Sequence, residues 1–204
     1  MDLSKINIPF LHDEDIRRKA NHFREKNWGD KIPVDIELIV EKELKLDLIP
    51  LPGLYKITGT EAFLTGDLLE VVFDTDRPEV RIRFSIAHEI GHFVLHKEQI
   101  EKLRAKSYEE WKKIINNIPG PIWGRAEYQA SEFAGRLLVP KNALIKSIKK
   151  RKLLIEQAKK IINEDSAALI EYLASNISKE FNVADKTMQI RFEREKINPF
   201  SHLS

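Results

Sequence analysis

The first long apolar pattern along the chain has the spacing of a helix. In "HDEDIRRKANHFREKNW" Ile16, Ala20 and Phe23 recur at three to four residues behind an acidic start, which predicts one amphipathic helix. Trp28-Gly29-Asp30 breaks it, and Pro33 opens a second helical run, "VDIELIVEKELK". The pattern then shortens. "LDLIPLPGLYKITGT", "AFL", "LLEVVFD" and "VRIRF" are β-branched and aromatic runs separated by Gly, Pro and Asp, and they predict strands. Pro50, Pro52 and Gly53 predict that the first pair is irregular and lies at a sheet edge. Beyond Phe84 the chain reads as helix almost to its end, with stops at "NNIPGPIWG" (116–124) and Pro140. Helices, a small mixed or antiparallel sheet, then several helices make an α+β fold. A boundary is expected near residue 150, between a main domain (1–150) and a helical C-terminal region (151–204).

Composition narrows the class. Charged residues make up 32% of the 204 and apolar ones 42%, as in a globular protein, and the net charge of +2 is too small for a polycation that coats nucleic acid. There is no cysteine, which removes disulfides, thiolate metal sites and a cysteine nucleophile. The N-terminal residues lack the apolar core of a signal peptide, and nowhere do about eighteen apolar residues run together. A cytoplasmic protein without a membrane partner is the expectation.

One apolar stretch carries polar groups that need an explanation. "RIRFSIAHEIGHFVLHKE" places His88, His92 and His96 at four-residue intervals on a helix otherwise built of Phe84, Ile86, Ile90, Phe93, Val94 and Leu95. Positions i and i+4 lie one above the other, so His88 and His92 can aim ring nitrogens at one point. Glu89 is rotated by about 100° to the flank of that point. This is the HExxH arrangement, two histidines for a metal and a glutamate for a general base. The competing reading is a set of core histidines satisfied by hydrogen bonds. Gly91 weakens a helix interior and predicts that another backbone comes close there.

A third ligand is required. His96 sits two turns beyond His88, about 12 Å along the axis, too far to share an ion held at about 2 Å, and is expected at the cleft rim or as a cap. On the later helix "GRAEYQASEFAGRLLVP", Glu127 shares a face with the small residues Ala130, Ser131 and Ala134, while Glu132 is turned away by about 140°. Geometry leaves Glu127 open between a ligand and an ordinary first-turn glutamate stabilised by the helix dipole.

Together "RIRFSIAHEIGHFVLH", "EYQASEFAGRLLVP" and the order of the segments around them resemble the ImmA/IrrE-type zinc metallopeptidases. "IRRKANHFREKNWGDKIPVDIELIVEKEL" is similar to that family's helical lead-in, and "ISKEFNVADKTMQIRFERE" to its C-terminal helical pair. The resemblance implies one Zn²⁺ per chain on His88, His92 and Glu127, with Glu89 as the catalytic carboxylate. Where the family often has Asn or Asp, this chain has Ser131, so that residue's expected support of a ligand histidine depends on a shorter side chain. The resemblance also implies a protein substrate, a helix-turn-helix repressor or antitoxin-like regulator that controls stress genes or a mobile element. A second electrophilic donor is expected among Tyr128, His96 and Arg83.

Two basic features complete the reading. "PKNALIKSIKKRKLLIEQAKK" carries eight Lys and Arg against Glu156, either as a solvated face or as a docking surface for an acidic partner or nucleic acid. The C-terminal pair has helix-turn-helix form, but Lys186, Arg191 and Arg194 are offset by Asp185, Glu193 and Glu195, so nucleic acid is not favoured. The alternative function is a metal-containing regulator that binds a repressor or DNA without cutting anything. Glu89 separates the two, because a structural metal needs no adjacent base.

Overall fold

The structure is a computed structural model that describes residues 7–103, 105, 108–162 and 166–202. Helix α1 (Asp13–Asn27) carries Asp13, Glu14 and Asp15 in its first turn and Arg24 and Lys26 in its last, matching the helix dipole at both ends. The break expected at Trp28-Gly29 is there: the N–H groups of both residues return to the Arg24 carbonyl, with Gly29 at φ +87°. Asp35 then caps α2 (Ile36–Leu38) by accepting from the Leu38 N–H at 3.0 Å, and a π-helical turn (Ile39–Leu44) extends it.

The sheet is mixed and three-stranded. Strands β1 (Asp47–Pro50), β2 (Ala62–Leu64) and β3 (Glu70–Phe73) lie in the order β1-β3-β2, with β1 parallel and β2 antiparallel to β3. Pro50 therefore sits on an edge strand, where its missing N–H costs no ladder bond. Successive side chains of β3 serve two sides: Val71 joins the main core, and Val72 packs with Leu54 and Phe63 on the opposite face.

Two expected strands are helices instead. The segment after Gly53 forms α3 (Leu54–Thr58), bounded by Gly53 and Gly59 at positive φ. Its opening N–H groups are satisfied from a distance, since the buried Asp74 carboxylate accepts from Gly53 at 3.1 Å and from Tyr55 at 2.7 Å. "VRIRF" belongs to α4 (Glu79–Leu103). Five residues of alternation fit one and a half helical turns as well as a strand, and here Arg83 is buried while Ile82 and Phe84 are half-buried.

Helix α4 crosses α6 (Gly120–Leu138) at the centre of the molecule; α5 (Tyr108–Asn117) lies between them in the chain. Helices α7 (Lys141–Lys149), α8 (Lys152–Ile162), α9 (Ser166–Phe181) and α10 (Asp185–Arg194) follow. Leu173, Phe181, Met188 and Phe192 of the last two enter the same apolar cluster as Ile16, Val71, Ile90 and Phe133. Among the described residues no helix is long and apolar enough to cross a membrane.

Candidate metal centre

The approach of α4 to α6 is set by Gly91. A Cβ there would lie 2.8 Å from the Ala130 carbonyl oxygen and 3.0 Å from its Cα, so only glycine allows this contact. The close approach expected from the sequence is thus made by the helix that carries Glu127. It brings His88 and His92 of α4 against that carboxylate.

The three side chains form a compact triangle in which each histidine meets a different oxygen of Glu127. His88 Nε2 lies 3.0 Å from His92 Nε2 and 3.3 Å from Glu127 Oε2, and His92 Nε2 lies 3.2 Å from Glu127 Oε1. Ligands about 2.0–2.1 Å from a tetrahedral ion are about 3.3 Å apart, so two imidazoles and a carboxylate at these spacings fit a zinc-type site with an open corner. Among the described residues this is the His/Cys/Asp/Glu group close enough to hold an ion. The site is electrostatically tight. Burial pushes Glu127 up, but the contacts with His88 and His92 outweigh it and hold the carboxyl well below its usual range. Burial pulls His88 down, and the bond to Glu127 and the charge of Glu89 reverse that.

Glu89 is buried beside the triangle. Its Oε2 accepts from the backbone N–H of Leu64 on β2 at 2.9 Å. Burial, opposed by the two histidines, raises its pKa above the ordinary carboxylate value. The group opens into a cleft of about 560 Å³. One wall is the outer edge of β2 at Ala62 and Leu64, with Glu61 and Arg81 beyond it; the other is aromatic, from Tyr108, Trp111 and Trp123.

Behind the triangle each histidine is held by its other nitrogen. Ser131 Oγ lies 3.2 Å from His88 Nδ1, so the short side chain does reach the ring. His92 Nδ1 lies 3.1 Å from His96 Nδ1, and His96 Nε2 lies 2.8 Å from Gln129 Oε1. His96 is therefore neither at the cleft rim nor a cap. It is fully buried, at a break in α4 where its own φ and ψ are −129° and 16°, and burial together with the charge of His92 lowers its pKa to about 4.

The sequence profile of the Peptidase_M78 family, described as the IrrE N-terminal-like domain, matches residues 70–193, well over half the chain. The chain belongs to the IrrE N-terminal-like peptidase family. No curated protein matches it. The matched span of this IrrE N-terminal-like protein runs from β3 to α10 and includes both helices of the triangle. It is a family of metallopeptidases, and the His88, His92 and Glu127 cluster is compatible with a metal.

Two further residues of the IrrE N-terminal-like chain named from sequence lie away from the cleft. Tyr128 is exposed on the next face of α6, donating to Asp13 Oδ1 at 2.8 Å and accepting from Arg194 at 3.2 Å. Arg83 is buried under α4, donating to the carbonyls of Val34 at 2.7 Å and Asn182 at 3.1 Å. Neither lines the cleft beside Glu89. The aromatic wall was not foreseen. Trp123 stacks on the His92 ring with centroids 5.6 Å apart and planes 7° from parallel, and Tyr108 donates to the Thr58 carbonyl at 3.0 Å. Its signal was present, since Trp123 stands one turn before Glu127, but the expected helix began at Gly124 while α6 begins at Gly120.

Proposed function

We propose that the protein is a zinc-dependent endopeptidase that hydrolyses a peptide bond in a protein substrate, a helix-turn-helix transcriptional repressor or antitoxin-like regulator. The observation that carries this reading is the convergence of three lone-pair donors beside a buried fourth group, Glu89, that is not one of them. A structural site needs no such neighbour. His88, His92 and Glu127 would hold the ion, which when bound supplies Lewis acidity for a water and a peptide carbonyl.

The chain's own groups supply the rest. Leu64 N–H occupies one oxygen of Glu89 and leaves the other to take a proton from water and return it to the leaving nitrogen. Burial raises the pKa of this carboxyl, which makes it a better proton acceptor. Ala62 and Leu64 on the outer edge of β2 are placed to meet an extended backbone, while Trp111 and Tyr108 offer an apolar wall to its side chains.

A peptidase domain implies a protein substrate, and the narrowing to a repressor rests on the sequence resemblance. The regulator that binds DNA without cleavage draws less support. Arg191 is buried against Glu195, and Arg194 is paired with Glu132 at 3.0 Å, so two of the three cations counted on α10 are occupied. In the basic stretch Arg151 pairs with Glu180 at 2.5 Å, and the side chains of Lys159 and Lys160 lie outside the described residues.

The test is Glu89→Gln beside the wild type. The variant keeps one zinc per chain and its unfolding midpoint, while cleavage of a purified helix-turn-helix repressor falls about 10²–10⁴-fold. Undiminished cleavage by the variant overturns the reading.

A further inference from the structure

We propose that His96 and Gln129 are positioning residues: a hydrogen-bond relay anchored on the Pro9 carbonyl dictates which nitrogen of His92 carries the proton. The consequence for a metal rests on the reading of His92 as a ligand; the relay itself does not.

The direction of each bond follows from the fixed end. A carbonyl oxygen can only accept, so the group 2.9 Å from Pro9 O must be the Gln129 NH₂. The other end of that amide, Oε1, then faces His96 Nε2 at 2.8 Å, and this nitrogen must donate. A neutral imidazole has one N–H, so His96 Nδ1 is left with its lone pair. Across 3.1 Å it faces His92 Nδ1, which must donate in turn. In a neutral ring His92 Nε2 is thereby left as the lone pair, aimed at His88 and Glu127. A second proton on His96 would set N–H against N–H, and a flipped Gln129 would set oxygen against oxygen.

Burial makes these choices binding. His92, His96 and Gln129 are 4%, 0% and 1% exposed, so no solvent is at hand to satisfy a wrong tautomer. Helix α4 departs from helical geometry at His96 itself, the residue whose ring meets both His92 and Gln129. His88 is treated differently: Ser131 offers a rotatable hydroxyl, which can donate or accept and so leaves that ring's tautomer free. The relay also ties the centre to the segment ahead of α1, where Arg125 donates to the Ile8 carbonyl at 2.9 Å.

The experiment is ¹⁵N–¹H correlation spectroscopy of the histidine rings in metal-free full-length protein, followed by zinc titration against a chromophoric chelator. Wild type is expected to show His92 as the Nδ1–H and His96 as the Nε2–H tautomer. His96→Ala should mix the His92 tautomers and weaken zinc binding about 10–100-fold. His96→Gln, which can both accept and donate, should restore most of the affinity, and Gln129→Glu, which opposes oxygen to the Pro9 carbonyl, should not. A His92 found as Nε2–H in wild type overturns the relay, as does unchanged zinc affinity in a folded His96→Ala. If His96→Ala fails to fold, the wild-type spectrum and Gln129→Ala decide. Correct tautomers in a protein that takes no zinc would sink the metal reading and leave the relay standing.

Discussion

Helix α6 carries a polar pair at i and i+4 on each of two faces, and the two have opposite fates. On one, Glu127 and Ser131 face His88 and His92 across the cleft. On the other, Glu132 and Arg136 enter a buried ionic cluster with Glu195, Arg191, Arg17 and Arg194. In the second cluster two carboxylates are shared among four guanidiniums, with Arg136 2.5 Å from Glu195 and Arg17 3.1 Å from it. In the first, two ring nitrogens and one carboxylate crowd together with Glu127 still 44% exposed. Ion pairing alone therefore does not mark a candidate site. The convergence of three ligand-bearing side chains on one point does.

The sharpest way to break this comparison is a pair of truncations with opposite readouts. Glu195→Ala strands the buried Arg191 and leaves Arg136 with Glu132 alone, and should cost about 3–5 kcal/mol of unfolding free energy while zinc stoichiometry stays at one. Glu127→Ala should leave the unfolding midpoint of the metal-free protein within a few degrees and weaken zinc binding by more than the 10–100-fold of an outer-sphere loss. Equal effects of both on stability and on metal would erase the distinction.

The acid limb sharpens it further. Burial raises Glu195, but the charges of Arg191 and Arg136 prevail, and its pKa lies below the ordinary 4.5. A carboxyl with a depressed folded pKa stabilises fully above its unfolded value, and the contribution is lost as pH falls through the folded one. Denaturant titrations below about pH 4.5 should lose stability more steeply in the wild type than in Glu195→Gln.

Smaller effects probe the crossing itself. Gly91→Ala drives a methyl into the Ala130 backbone and should cost about 1–3 kcal/mol, with loss of zinc affinity as α4 and α6 separate. Ser131→Ala removes only the contact to His88 Nδ1, and chelator competition should show about a tenfold weaker zinc site with unchanged stability.

Much of the site was readable in advance because its spacing is local. His88, Glu89 and His92 follow from the helical repeat, and Gly91 signalled a close contact that α6 makes at Ala130. Pattern and structure differ where a local pattern has two solutions. "VRIRF" alternates like a strand yet opens α4, and "LYKIT" is rich in strand formers yet becomes α3 because Asp74, about twenty residues on, caps it. Tyr128 adjoins Glu127 in sequence, but one step along a helix turns a side chain by about 100°, and it ends up beside Asp13. His96 continued the histidine series on paper, whereas in space it backs His92.

By itself the sequence determined whatever depends on a few consecutive residues: the helical stacking of two imidazoles, the carboxylate on their flank, the α+β order and the need for a small residue at position 91. Only the tertiary structure decided what depends on which faces meet. That includes the placing of Glu127 within 3.3 Å of both rings, the aromatic wall, and the burial of His96 against Gln129 and the Pro9 carbonyl. The physical reason is range. Backbone geometry propagates over a turn or two, whereas a buried polar atom must find its partner wherever in the chain that partner lies.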